Sequence, residues 1–398
     1  MAIDFQQLRN QVIEIGNRTP ARLERMAALR EIAEGLLTDY SHQSEWLKKR
    51  VRQVVQNHNP NIRCAVPISE APGAGELLNG RVPLPELPAS GTVLAADGSQ
   101  IMPDRHDQVF YALINLGTIS MQYHTGTAPA TAVQTMLYDD DQLYTDFGRI
   151  SDARLALMRD LYERRILSEM ASGAQRPVVT FTDGPIELWG ARDGMDAADY
   201  QESLVSYLEV LENLRTQEVI TAGYVDKPGA NLVVRLLELA SLDESDLPGV
   251  RRSHPLRGVS DFWLFKELLH PGERSAVFAI QSMSSGQYQG DLALHFFYLN
   301  VGLHGNPWIA RVELPAWVVN QPGCLDILHA VLVDQCRILG VRPYPYLLHR
   351  AHEIALVTRK EKEQVTEMIT HEMHRYGLMV TGPSKKQIHK NLSGRERF

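Results

Sequence analysis

Val93-Leu94-Ala95-Ala96-Asp97-Gly98-Ser99 and, further along the chain, Val178-Val179-Thr180-Phe181-Thr182-Asp183-Gly184-Pro185 are two short apolar runs that both end in Asp-Gly. Brief apolar runs with β-branched residues, bounded by turn dipeptides, read as buried strands. Working outward, residues 110–123 and 128–138 are the next strand candidates, with Thr125-Gly126 as the turn between them. The first strand thereby gains two antiparallel partners. A helix is predicted over 151–172, capped by Ser151 or Asp152 and stopped near Gly173. Helices over 199–215 and 230–241 flank a strand over 218–225. The C-terminal third carries strand candidates at 275–281, 292–301 and 308–312, with helices at about 323–339 and 354–376. A meander followed by helix-flanked strands predicts an α/β fold with a mixed sheet.

The 398 residues hold 40 Lys+Arg against 48 Asp+Glu, a net charge of -8, with 44% hydrophobic and 22% charged residues. That composition excludes disordered, fibrous and membrane classes, and the length suits two or three domains. The longest apolar stretch, 292–303, is too short to span a bilayer and contains His295 and Asn300. The surplus of acid argues against general binding of polyanions, whose phosphates are held by clustered Lys and Arg. Three cysteines, Cys64, Cys324 and Cys336, lack disulfide or zinc spacing, and the N-terminus has no secretory pattern. A cytoplasmic location is expected.

Residues 1–57 read as a helical region, with Leu23, Met26, Leu29, Ile32, Ala33, Leu36 and Leu37 on one stripe and Thr19-Pro20 as a helix start. Residues 58–91, rich in Pro and Gly, read as a linker or meandering loop. Gly73-Ala74-Gly75 within them lacks the third glycine of a nucleotide-binding loop. Residues 92–376 form the main domain, and 377–398 a basic tail. In that tail Lys385, Lys386, Lys390, Arg395 and Arg397 face one acid, Glu396. Such a tail contacts phosphates or is simply solvated.

Sites in open α/β sheets form at the carboxyl ends of strands. If the two Asp-Gly strands are neighbours, Asp97 and Asp183 face one another, and paired carboxylates imply a cation or a shared proton. Hard oxygen donors select Mg²⁺ or Mn²⁺, and two such ions can clamp a phosphodiester. Asp-Gly is also ordinary turn chemistry. A third acid should come from the intervening helix, where Glu163 and Glu169 are about 600° apart around the axis and cannot share a face. Glu163 has Arg159 four residues before it, the spacing of a surface ion pair. Tyr344-Pro345-Tyr346-Leu347-Leu348-His349-Arg350-Ala351-His352-Glu353 gathers aromatic, basic and imidazole groups just before a predicted helix. Zinc ligation by His349 and His352, or by His371 and His374, fails on spacing, because Leu356 stands four residues after His352. No Gly-x-Ser-x-Gly elbow or Walker A loop is present.

Taken in order, Ala96-Asp97-Gly98-Ser99, Arg159 with Glu163, Thr182-Asp183-Gly184-Pro185, and Tyr344-Pro345 leading into Tyr346 to His352 resemble the NurA nuclease family. Gly223-Tyr224-Val225-Asp226-Lys227-Pro228 and Arg311-Val312-Glu313-Leu314-Pro315 look like further family segments. The resemblance covers about 92–376. It implies a ribonuclease H-like mixed sheet core with an N-terminal helical region and an α/β C-terminal extension. It also implies DNA cleavage dependent on Mn²⁺ (or Mg²⁺), with two ions, a homodimer, and partnership with a HerA-type hexameric ATPase in DNA end processing or defence. Carried over, Asp97, Glu163, Asp183 and His352 hold the metals and Tyr344 completes the catalytic set, with Glu169 in reserve for Glu163. Pro185 stands where the family usually has Ser. A non-catalytic adaptor for a DNA translocase and a phosphohydrolase of small nucleotides are the competing readings. The acid surplus predicts weak, salt-sensitive affinity for DNA in the isolated protein. A binding titration in chelator checks this, and tight binding that ignores salt would contradict it.

Overall fold

The computed structural model describes residues 3–68, 76–103, 109–145, 148–190 and 197–377. Gly73-Ala74-Gly75 and the basic residues of the tail lie outside the described residues. Helices α1 (Phe5–Asp39) and α2 (Ser44–Asn57) precede the short strands β1 (Cys64–Pro67) and β2 (Arg81–Val82). Strands β3 (Thr92–Ile101), β4 (Ala112–Gln122) and β5 (Ala130–Tyr138) follow, then the small pair β6 (Tyr144–Thr145) and β7 (Gly148–Arg149). Helix α3 (Asp152–Ala171), strand β8 (Val178–Asp183), helix α4 (Ala197–Thr216), strand β9 (Ile220–Asp226) and helix α5 (Leu232–Ser241) then alternate. After α6 (Asp261–Leu268) come β10 (Arg274–Ser275), β11 (Phe278–Gln281), β12 (Leu294–Asn300) and β13 (Ile309–Pro315). The last helices are α7 (Ala316–Asn320), α8 (Cys324–Ile338), α9 (Tyr346–Ala355) and α10 (Arg359–Arg375). The fold is mixed α/β with a large mixed sheet, as expected. Among the described residues no helix is long and apolar enough to cross a membrane.

The chain divides into two compact units, one of Met1–Leu87, Gly184–Ile186 and Ala222–Tyr344, the other of Pro88–Asp183, Glu187–Thr221 and Pro345–Phe398. In the second unit β3 is the central strand. Val93 to Ala96 are buried on both faces, as a run without alternation requires. β3 pairs antiparallel with β4 along its whole length, from Thr92↔Gln122 to Ile101↔Leu113. Its parallel pairing with β8 is shorter, from Thr92↔Val178 to Ala96↔Thr182. The sequence reading ended this strand at Asp97. Instead it runs on to Ile101, because β4 continues to satisfy its backbone after β8 has stopped. β4 pairs in turn with β5 from Ala112↔Tyr138 to Ser120↔Ala130, and β5 closes the sheet at that edge.

In the first unit the end of β9 pairs with β13, followed by β12, β11 and the edge strand β1, all antiparallel. Phe265 stacks on Tyr298 with centroids 4.4 Å apart, and Phe278 stacks on Phe296 at 5.6 Å. Buried Asp261 accepts from the amides of Val233 (2.9 Å) and Val234 (2.8 Å) at the start of α5, and from the Tyr298 hydroxyl (2.6 Å). Burial outweighs these bonds and pushes its carboxyl up to about 6.

Four expectations are corrected. Thr19-Pro20 does not start a helix. α1 begins at Asp4, whose side chain caps Gln6 and Gln7, and Pro20 lies inside it while the Thr19 hydroxyl donates back to Ile15 O (2.8 Å). Of the predicted stripe only Ala33 and Leu37 are buried, whereas Leu23 and Ile32 are exposed. The stretch 58–91 supplies β1 and β2, and within it Glu76 binds Arg274 (2.8 Å) and the Val277 amide (2.9 Å). The helix expected over 354–376 is two helices, α9 and α10. A capping box between Thr358 and Glu361 restarts the chain after Leu356 and Val357.

His329 on α8 is fully buried, with Nε2 2.7 Å from Gly272 O, and burial lowers its pKa from 6.5 to about 4. Because the folded value lies below the unfolded one, its contribution to stability is complete above pH 6.5 and is lost as pH falls towards 4. The size is about 3 kcal/mol. Urea unfolding at pH 7 and pH 5 should show about 2 kcal/mol of this loss in the unaltered protein and a smaller one in His329→Gln. Equal losses would refute it.

Candidate active site

The short parallel pairing of β3 and β8 leaves Asp97 and Asp183 one position beyond the last matched residues, Ala96 and Thr182. In-register parallel strands point such neighbours to the same face. Across the sheet Asp97 is paired with Gly117 on β4. A Cβ on Gly117 would overlap the carbonyl oxygen of Ala351 and the amide nitrogen of Ala355, so α9 rests its backbone on that glycine. The Asn115 amide (2.8 Å) and the Ser99 hydroxyl both donate to Ala355 O and fix the end of the helix. This seating delivers His352, whose Nδ1 donates to Asp97 Oδ2 at 2.7 Å, while the Asp97 Oδ1 accepts from the Gly98 amide at 2.9 Å. The His352 side chain is 62% exposed, leaving its other ring nitrogen on the solvent side. The sequence reading placed His352 before a helix. It stands within α9, which the Tyr-Pro start had hidden.

The other face of β3 carries α3. A Cβ on Gly98 would sit 2.6 Å from Arg159 Cγ and 2.9 Å from Glu163 Oε1. Gly98 is therefore not a turn glycine. It lies inside β3 and is small so that α3 can press Arg159 and Glu163 onto the strand. Glu163 is buried, with Oε1 3.4 Å from Arg159 Nε. Its carboxyl is held well above its ordinary value, by burial first and then by repulsion from Asp160 and Asp97, against the pull of Arg159 and Arg164. Asp160, bound by Arg159 at 2.9 Å, is raised by burial, and its nearness to Asp97 adds to the shift. Sequence reasoning missed Asp160. The signal was its place three residues before Glu163, which puts both on one side of the helix. Arg164 is buried as well and donates to Thr221 Oγ1 at 3.2 Å.

Asp97 thus meets His352 on one face and is near enough to Glu163 on the other to raise its proton affinity, with Asp183 exposed at the adjoining strand end. Glu169 lines a separate cavity of about 260 Å³ with Leu116, Gln134 and Met136. Tyr344 belongs to the first unit, where its ring meets Tyr224 edge-on at 5.6 Å. Among the described residues no group of three or more His, Cys, Asp or Glu side chains is gathered closely enough to hold a metal ion. In donor type and charge the acids nevertheless suit a hard divalent cation. Asp97 and Asp160 both raise the proton affinity of buried Glu163, the condition a cation relieves.

Fold and site together define an α/β protein with an acid cluster on β3 and α3 and a histidine delivered by a later helix. The profile of the NurA domain matches residues 91–357, and the chain belongs to that family. Among solved structures it is similar to the NurA nuclease from Sulfolobus solfataricus, with a TM-score of 0.45 and 12% identity over 74% of this chain and 87% of that one. It is similar to a second NurA with a TM-score of 0.41 and 11% identity over 90% and 97% of the two chains. Drosophila Piwi matches at a TM-score of 0.29 and 12% identity, over 68% of this chain and 30% of its own. No curated protein matches significantly.

Gly98→Ala should destabilise the protein by about 1–3 kcal/mol, since an added methyl meets the stem of Arg159 and the Glu163 carboxyl. Denaturant unfolding measures this, and an unchanged midpoint would show that α3 can withdraw without cost.

Proposed function

We propose that this protein is a metal-dependent deoxyribonuclease, acting as a homodimer with a HerA-type hexameric ATPase in DNA end processing. The observation that carries the reading is the meeting of Asp97 with Glu163 and Asp160 on one side and His352 on the other. A protein that only docks a motor has no use for acids that repel one another, and the adaptor reading has no observation in its favour. Strand order β5-β4-β3-β8, with β3 and β8 parallel beside the antiparallel meander, supports a ribonuclease H-like core.

Asp97, Asp183 and Glu163, with His352 beside them, would hold Mn²⁺ or Mg²⁺. When bound, such ions supply charge stabilisation at a phosphodiester and lower the pKa of a water. The chain's own groups do the rest. Asp97 fixes the orientation of the imidazole through Nδ1, so that the outer nitrogen of His352 is aimed at solvent and can donate to a phosphate oxygen or carry a proton. Arg159 partly offsets the mutual repulsion of Asp160 and Glu163. Buried Glu163 rests against the strand that bears Asp97. An acidic protein holds long DNA poorly by itself, and a motor partner would supply the grip.

End-labelled single- and double-stranded DNA should be degraded in Mn²⁺ and not in chelator. Asp97→Ala and Asp183→Ala should each abolish cleavage, by about 10³-fold or more, with unfolding midpoints close to the unaltered protein. Cleavage that persists in both variants would remove the assignment of the site.

A further inference from the structure

The three residues after Asp183 carry an arrangement that the reaction has not yet used. Pro185 has no N–H, so the Gly184-Pro185-Ile186 turn offers only two backbone donors. Both are taken. The Gly184 amide donates to Tyr224 O at 2.8 Å, and the Ile186 amide donates to Glu313 Oε2 at 3.1 Å. Glu313 is fully buried, and its other oxygen lies 2.7 Å from Arg311 Nη2. Gly223 and Glu313 are partners in the register of β9 and β13. A Cβ on Gly223 would stand 2.5 Å from Gly184 O and 2.8 Å from Ile186 N, so the turn lies directly on this pair of residues. Gly184 itself takes a left-handed φ of 87°.

A buried carboxylate is costly to keep, even beside an arginine. Here its second oxygen accepts from a main-chain amide, and a charged acceptor makes the firmer bond. We propose that Glu313 is a positioning residue for Asp183, acting through the backbone of Gly184–Ile186. The inference rests on the nuclease reading, in which the placement of the Asp183 carboxylate governs the rate. The turn leaves Asp183 by one peptide bond, and its two anchors fix the direction in which the chain departs. Glu313 touches neither substrate nor metal in this account.

The test uses the full-length protein with Glu313→Gln, Glu313→Leu and the double variant Arg311→Met/Glu313→Leu. The double variant also removes the cation whose ion pair the single one breaks, and it is read in place of Glu313→Leu if that variant does not fold. Two quantities are compared per folded molecule. One is hydrogen exchange in a peptide spanning 184–188, and the other is kcat and KM on linear DNA with Mn²⁺. Loss of the anchor should speed exchange by about tenfold or more. It should lower kcat by on the order of 10²-fold with KM nearly unchanged, the cost of a misplaced group. Glu313→Gln keeps an acceptor for Ile186 and should retain slow exchange and most of kcat. A leucine variant that keeps kcat, or a glutamine variant that loses as much as leucine, overturns the proposal. If the unaltered protein cleaves no DNA, the nuclease reading fails. Exchange that quickens only without the acceptor would then uphold the anchor alone, and unchanged exchange would remove it too.

Discussion

Two missing side chains set the geometry on which everything else depends. Gly98 on β3 lets α3 come down until Glu163 and Arg159 touch the strand, and Gly117 on β4 lets α9 do the same from the opposite face. The strands are ordinary hydrogen-bonded neighbours, but at this one place the sheet is thin enough for a helix to reach it on each side. Asp97 sits between them, immediately before Gly98 and directly across from Gly117. Its carboxylate therefore meets His352 from α9 and feels the acids of α3. A methyl at either glycine would push one helix away and disturb the cluster while leaving every acid of the sequence in place.

The position of Asp97 follows from a mismatch in pairing lengths. Its parallel partner gives out at Thr182, while its antiparallel partner continues for five more residues, from Asp97↔Gly117 to Ile101↔Leu113. A strand that loses one neighbour but keeps the other stays extended and opens a gap on one side. Asp97 and Asp183 stand at the mouth of that gap. Their immediate surroundings differ. Asp97 is mostly covered and bound by His352, whereas Asp183 is exposed as the last residue of β8.

Much of this was legible from the chain. The apolar runs before the two Asp-Gly pairs announce buried strands, and the spacing of Arg159 and Glu163 announces a shared helix face. Other features were hidden for physical reasons. A glycine needed for close approach looks the same in sequence as one needed for a turn, so Gly98 was misread. The Pro345 that opens α9 masked the helix carrying His352, and a proline inside α1 suggested a start where the helix is continuous. Asp160 was overlooked because its partner Arg159 had already been given to Glu163. The acid that binds Ile186, Glu313, lies 127 residues from it, and no local pattern reports such a contact.

The central claim is that the acids around Asp97 exist to share a cation. Burial first, and then repulsion from Asp160 and Asp97, raises the proton affinity of the Glu163 carboxyl, and a hard divalent ion is the partner that would offset that repulsion. The most direct measurement is anomalous scattering from crystals of the unaltered protein soaked in Mn²⁺. The account predicts a peak bounded by the carboxylates of Asp97 and Asp183, with Glu163 or His352 within reach. Crystals that show no such peak, from protein that still cleaves DNA in Mn²⁺, would contradict it.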